Sequence, residues 1–177
     1  ACAELGMGSV SQNLPADISQ EELERIIKSL NDDTTVHGIL VQLPLPSQLN
    51  EERVLQLISV EKDVDGFSPI NIGRLAQRGR EPLFVPCTPN GCMYLLDHAG
   101  VSIEGANAVV LGRSNIVGMP AALLLMSRNA TVTVCHSRTK DLPGIARAAD
   151  ILIVAIGKAE FVRGEWRKYL QSLETPG

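Results

Sequence analysis

The sequence predicts an α/β protein made of two successive α/β domains. Three observations predict it. Apolar runs of strand length alternate with amphipathic helical stretches along most of the 177 residues. The run in "VHGILVQLPLP" is nearly continuous in apolar residues, the pattern of a strand buried on both faces of a parallel sheet. Further on, "VVLGRSNIVGMPAALLL" passes from an apolar run through a small-residue turn into a helical pattern.

The elements come in this order. "ACAELGMG" reads as the last turn of a helix closed by Gly6, and a chain that opens on Ala1 reads as a segment of a longer one. Residues 8–15 are expected to form a short strand. In "DISQEELERIIKSLNDD" either Asp17 or Ser19 can cap, Glu21 and Glu22 suit the positive helix end, and Leu23, Ile26, Ile27 and Leu30 share one face. "VHGILVQLPLP" is the next strand, stopped by Pro44 and Pro46, and "NEERVLQLI" the next helix. "SVEKDVDGFSPIN" is expected as a loop. "TPNGCMYLLDHAG" is a helix with Thr88 as N-cap, Pro89 at the first helical position and Gly100 as its end. A second α/β unit then runs through strand 107–111, a helix at 116–127, strand 131–135, helix 142–148 and strand 151–156. The domain change falls near 86–105.

Composition narrows the function. Apolar residues make up 45%, mean hydropathy is +0.10, and a sizeable core can form. Net charge is −4 and the 16 basic residues are scattered, so neither nucleic acid nor an anionic membrane is the expected partner; a small molecule is. No apolar run of about 18 residues can span a bilayer, and the basic–apolar–small order of a signal peptide is missing. A soluble intracellular protein is expected. Cys2, Cys87, Cys92 and Cys135 are too few for a disulfide framework and lack zinc-site spacing, so buried free thiols and no metal are expected. His37, His98 and His136 lie on separate elements, which argues neither a metal site nor a nucleophile–histidine pair.

The turn Gly112-Arg-Ser-Asn-Ile-Val-Gly118 is not G-x-G-x-x-G, yet Gly112, Ser114 and Gly118 can let a backbone bend and approach a pyrophosphate. Taken alone it fits a dinucleotide site and a plain strand-to-helix turn equally well. The end of the next strand shifts the balance. An NAD site places Asp or Glu about 20 residues after the glycines to bind the ribose 2′-OH. Here "VTVCHSRT" has Ser137 and Arg138 and no acid. A guanidinium and a hydroxyl can bind a 2′-phosphate that a carboxylate would repel, and Arg113 can reach the same group, so NADP is favoured. His136 either stacks on adenine or simply ends the strand.

In the first half, Gln42 places an amide in an apolar strand end, where its partner is either neighbouring backbone or a ligand. "KDVDGF" adds Asp63 and Asp65 before a turn glycine. An amide and a carboxylate beside apolar walls suit a flat heterocycle with N–H donors.

The ordered motifs "VHGILVQLPLP", "KDVDGFSPINIGRL", "PCTPNGC", "VVLGRSNIVGMP", "TVTVCHSRT" and "ADILIVAIGK" resemble those of the bifunctional methylenetetrahydrofolate dehydrogenase/methenyltetrahydrofolate cyclohydrolase family, from Ala1 to about Lys168. The resemblance implies a folate-binding catalytic domain over 1–86 and a Rossmann NADP-binding domain over 87–177, each incomplete, in a homodimer in the cytoplasm or an organelle. It implies NADP-dependent oxidation of 5,10-methylenetetrahydrofolate to the methenyl form, then hydrolysis to 10-formyltetrahydrofolate. By motif, Val41, Gln42 and Leu43 would line the folate site and Asp65 would bind the pterin, with Gln42 and Asp65 supporting catalysis. Thr88, Gly112, Arg113, Ser114 and Ser137 would contact the cofactor, beside Arg138. The family's catalytic lysine, in a Tyr-x-x-x-Lys motif, is expected upstream of Ala1. After Lys168, "YLQSLETPG" stands where the family continues with Pro-Gly and a further strand. Without the lysine the cyclohydrolase step is expected to fall by about 10²–10⁴-fold. The alternative is a truncated non-catalytic chain that at most binds NADP or a full-length subunit. A shikimate-dehydrogenase-like reductase is argued against by "VQLPLP" and "KDVDGF".

Overall fold

The second half of the chain is organised around one central strand. In the computed structural model, which describes residues 2–166, β1 (Asn107–Leu111) pairs in parallel with β2 (Thr131–Cys135) on one side and β3 (Ile151–Val154) on the other, in the order β2-β1-β3. Val109 stands opposite Thr133 and Leu152. Successive β1 side chains point to opposite faces. Ala108 and Val110 pack with Met93, Ala122 and Leu125, whereas Val109 and Leu111 pack with Cys135 and Ala149. Met93 belongs to α4 (Cys87–His98), Ala122 and Leu125 to α5 (Gly118–Ser127), and α6 (Leu142–Arg147) covers the second face through Leu142 and Ile145. The sheet is therefore covered on both sides, which is why β1 has no polar face. α5 is apolar around its circumference because α3 (Pro69–Ala76) and α4 lie over it while the sheet lies beneath. Pro120 fits in its first turn, where no intrahelical N–H bond is required.

In the first half, α1 (Gln20–Asp32) and α2 (Glu51–Leu57) enclose a core of Ile18, Leu23, Ile27, Ile39, Leu49, Val54 and Ile58. Of the two candidate caps for α1 it is Ser19 that acts, its hydroxyl accepting from Glu22 N at 3.2 Å. Asn50 caps α2 by accepting from Arg53 N at 2.9 Å. At its other end α1 leaves carbonyls without intrahelical donors. The Lys62 ammonium supplies donors to three carbonyls there: Leu30 at 2.9 Å, Asn31 at 2.7 Å and Asp33 at 2.7 Å. The helices are tied together by the buried Glu24, which takes a forked pair of bonds from Arg53 at 2.6 and 3.0 Å and a third from Gln20.

Several expected elements differ. Residues 8–15 form no strand and are exposed throughout. "VHGILVQLPLP" makes a single parallel bridge, Ile39 to Asp63, in place of a full strand. Ile39 N donates to the Lys62 carbonyl at 2.8 Å, and Pro44 and Pro46 further on have no N–H with which to extend a ladder. The loop expected over 59–71 contains the start of α3, where Ser68 caps with Pro69 at the first helical position. Thr88 is not the cap of α4: Pro86 occupies that position and Thr88 lies in the first turn. β3 ends at Val154, although the Ala155 N–H still bonds Leu111 O at 2.7 Å. Of the four thiols only Cys135 is buried; Cys92 is half-buried and Cys2 and Cys87 are exposed. The expectation for "YLQSLETPG" lies outside the described residues. Among those residues no helix is long and apolar enough to cross a membrane.

The Glu24 cluster yields a test with a definite sign. The hydrogen bond from Gln20 does most to hold the Glu24 carboxyl below its ordinary value of 4.5, the Arg53 charge adds to this, and desolvation opposes it. A carboxylate with a lowered folded value stabilises fully above its ordinary value and loses that contribution as pH falls through the lowered one. Glu24→Gln is therefore expected to destabilise at neutral pH, with the gap to wild type closing as urea unfolding is repeated toward about pH 3. A gap independent of pH would contradict this role for Glu24.

Candidate functional site

The chain leaves β1 toward β2 on one side and later returns to β3 on the other, so the carboxyl ends of β1 and β3 flank the switch point of the sheet. Gly112 stands there with φ +113°, a region L side chains rarely adopt, and a Cβ on it would collide with the Ala155 carbonyl at the end of β3. Gly118, the first residue of α5, is packed so closely that a Cβ would meet the Gly112 carbonyl and lie 2.9 Å from Arg113 N. The turn is thus drawn tight at both ends by glycine. Between them the Ser114 hydroxyl accepts from Val117 N at 3.2 Å and Gly118 N at 3.3 Å. Its own proton is left to donate. Arg113 and Ser114 are exposed beside this helix start, an arrangement of donors and positive charge that suits a phosphate.

β2 ends level with β1, for Leu111 pairs with Cys135 and Gly112 N bonds Cys135 O at 2.9 Å. The next turn, 136–139, therefore emerges on the same edge as 112–118. Ser137 and Arg138 are exposed at its tip. The first acid beyond, Asp141, caps α6 through Gly144 N at 3.1 Å. The structure thus brings Gly112, Arg113, Ser114, Ser137 and Arg138 to one sheet edge. Thr88 is exposed in the first turn of α4, which packs on α5.

The remaining site residues belong to the first half. Asp63 is buried and accepts from Phe67 N at 3.2 Å, Ser68 N at 2.8 Å and the Asn71 amide at 2.8 Å. Asn71, with no exposed surface, in turn accepts from Leu83 N at 2.9 Å. Gly66 has φ +68° and lies against the Phe84 backbone, so a Cβ there would be 2.7 Å from the Phe84 carbonyl. Asp65 sits on this clamped loop. Because the Ile39–Asp63 bridge is parallel, Val41, Gln42 and Leu43 leave it in the same direction as Asp65. Val41 and Leu43 are half-buried. Gln42 is not the buried amide expected: it is exposed, and its Nε2 donates to the Leu43 carbonyl at 3.1 Å. Asp65 is half-buried, and burial foremost, with the Asp63 charge second, pushes its carboxyl above the ordinary aspartate range.

Two residues are central to this loop, Asp63 as hub and Asn71 as tie; the sequence marks Asp63 only as a companion of Asp65, and Asn71 does not stand out. The signal available is an aspartate four and five residues ahead of the donors at Phe67 and Ser68, just before a helix opening on Ser-Pro. Val41, Gln42, Leu43 and Asp65 stand on the first half of the chain and the dinucleotide-type residues on the second.

The fold and the glycine turn define a parallel α/β protein of the dinucleotide-binding class. Comparison with known proteins is more specific. A family model described as the tetrahydrofolate dehydrogenase/cyclohydrolase catalytic domain matches residues 1–65, and one described as the NAD(P)-binding domain of the same family matches residues 86–171. The chain belongs to the tetrahydrofolate dehydrogenase/cyclohydrolase family. It is 58% identical over 168 residues to bifunctional protein FolD 4, chloroplastic, of Arabidopsis thaliana, covering 95% of this chain and 47% of that protein. The solved structure of the Trypanosoma brucei dehydrogenase-cyclohydrolase, complexed with NADP cofactor and inhibitor, superimposes with a TM-score of 0.89 at 46% identity, over 94% of this chain and 57% of the other. The bifunctional enzyme of Campylobacter jejuni gives 0.87 at 46% identity, over 94% and 58%. The chain spans about half the length of the relatives it matches.

The glycine geometry predicts that Gly112→Ala and Gly118→Ala each destabilise the chain by more than about 1 kcal/mol, because the added methyl meets backbone that cannot move aside. Urea unfolding of the two variants checks this. Midpoints equal to wild type would mean that the close approaches do not exist.

Proposed function

We propose that this chain is part of an enzyme of one-carbon metabolism whose C-terminal unit, 87–177, binds NADP and whose N-terminal unit, 1–86, binds a tetrahydrofolate derivative. The complete protein would oxidise 5,10-methylenetetrahydrofolate with NADP+ and hydrolyse the methenyl product to 10-formyltetrahydrofolate. The observation that carries this reading is the shared edge of β1 and β2, where Arg113, Ser137 and Arg138 stand and no carboxylate is placed to bind a ribose 2′-OH. The residues fit the cofactor: the turn drawn tight at Gly112 and Gly118 leaves Arg113 and Ser114 exposed at the start of α5, and the Ser114 proton is available to a phosphate there.

When bound, NADP+ supplies the hydride acceptor. The residues of this chain hold and orient. Arg113, Ser137 and Arg138 bind the 2′-phosphate through charge-assisted hydrogen bonds. Thr88 contacts the cofactor from the start of α4. Val41 and Leu43 pack on the folate ring, and Asp65 accepts from pterin N–H groups. Burial raises the cost of the free Asp65 carboxylate, so donors from a bound pterin would offset a charge that has little solvent help. Gln42, exposed and bonded only to its neighbour's carbonyl, is free to turn toward the family's catalytic lysine. We place the protein in the cytoplasm as a homodimer; a relative named as chloroplastic makes an organelle the alternative.

Two measurements test the reading. Calorimetric titration of the chain should give NADP+ an affinity at least about tenfold above that of NAD+, the scale of one charge-assisted contact set. Equal affinities would refute the cofactor assignment. The complete parent protein should form NADPH only when 5,10-methylenetetrahydrofolate is supplied, and a parent inert toward that substrate would refute the substrate assignment.

A further inference from the structure

We propose that Thr139 and His136 are positioning residues that set the preference for a 2′-phosphorylated dinucleotide, by closing the 136–139 turn so that Ser137 and Arg138 are presented at its tip. This inference rests on the NADP reading of the second unit.

The turn is closed from both sides. Thr139 N donates to the His136 carbonyl at 2.9 Å, and His136 N donates back to the Thr139 hydroxyl at 2.9 Å. The turn follows directly on the buried Cys135, the last residue of β2, so its base starts from the sheet. A hydroxyl has one proton and two acceptor sites, and the His136 N–H takes one of the acceptor sites. The third bond reaches the tip: Arg138 N donates to His136 Nδ1 at 3.2 Å. That bond requires an imidazole with Nδ1 unprotonated.

None of these bonds uses the side chain of Ser137 or Arg138, and both remain exposed. The backbone that carries them is therefore held while the hydroxyl and guanidinium stay available. A loose loop would have to be ordered on binding; a closed one needs no such ordering, and the advantage is felt only by a ligand that uses the tip. NAD+ lacks the 2′-phosphate and draws little from it. The tie at Thr139 and His136 should thus act on the ratio of the two affinities, whereas a merely structural turn would affect both alike.

The test compares Thr139→Val, Thr139→Ser and His136→Leu in the whole chain, with dissociation constants for NADP+ and NAD+ and a thermal melt for each. Thr139→Val and His136→Leu are expected to weaken NADP+ by about tenfold while NAD+ changes by less than about twofold, and Thr139→Ser is expected to restore the ratio. Should Thr139→Val lose its cooperative melt, His136→Leu carries the same comparison. Equal weakening of both cofactors, or a ratio that Thr139→Ser does not restore, overturns the inference. A wild-type chain without NADP+ preference overturns the NADP reading and the inference with it, whereas a wild-type preference that survives both variants overturns the inference alone.

Discussion

The tight exit of the chain from β1 is the constraint on which the candidate cofactor site depends. β1 lies between β2 and β3 and is buried on both faces, so the chain can turn back toward β2 only at its carboxyl end. That end is crowded by the Ala155 carbonyl from β3, and the first turn of α5 closes over it at Gly118. Only hydrogen fits at positions 112 and 118. The tight passage aims the start of α5 at the sheet edge and leaves Arg113 and Ser114 outside it. The same parallel register brings the end of β2, and with it Ser137 and Arg138, to the same level.

The first half reaches its shape by other means. With one parallel bridge in place of a ladder, its segments are fixed by polar side chains acting on backbone. Lys62 satisfies the end of α1, Asp63 gathers the donors around the start of α3, and Asn71 carries that grip to Leu83. Each is a case where a buried or half-buried polar group is matched, and an unmatched one would be costly. The consequence for Asp65 is specific. It is carried on a loop that its neighbour Asp63 immobilises, and that neighbour's charge and its own burial both disfavour its ionised form.

The second unit is legible in sequence because its signals are local. β1 and β2 have the bounds expected for them, 107–111 and 131–135, and the glycines at 112 and 118 mark backbone positions that a side chain would block. The first unit is less so. "VHGILVQLPLP" has the apolar run of a buried strand, yet pairing depends on a neighbour that the run itself cannot specify, and the prolines remove donors. α3 is hidden because Ser68-Pro69 serves both a turn and a helix start, and the choice is made by Asp63 and Asn71 acting across the loop. Thr88 looks like a cap by residue type, but the cap and the helix start each lie two residues earlier than expected, at Pro86 and Cys87. Gln42 looks buried by its apolar neighbours and is exposed because the segment lies at the surface there. The cofactor-type residues can be named individually in sequence; their shared edge comes from sheet register.

The central claim is that the two turns at the ends of β1 and β2 together form one site that reads a 2′-phosphate. Amide chemical shifts of the isotope-labelled chain, recorded during titration with NADP+ and separately with NAD+, address it directly. The largest changes are expected at 112–118 and 136–139 with NADP+, and with NAD+ at 112–118 but little at 136–139. Identical perturbation patterns for the two cofactors, or changes centred away from both turns, would contradict it.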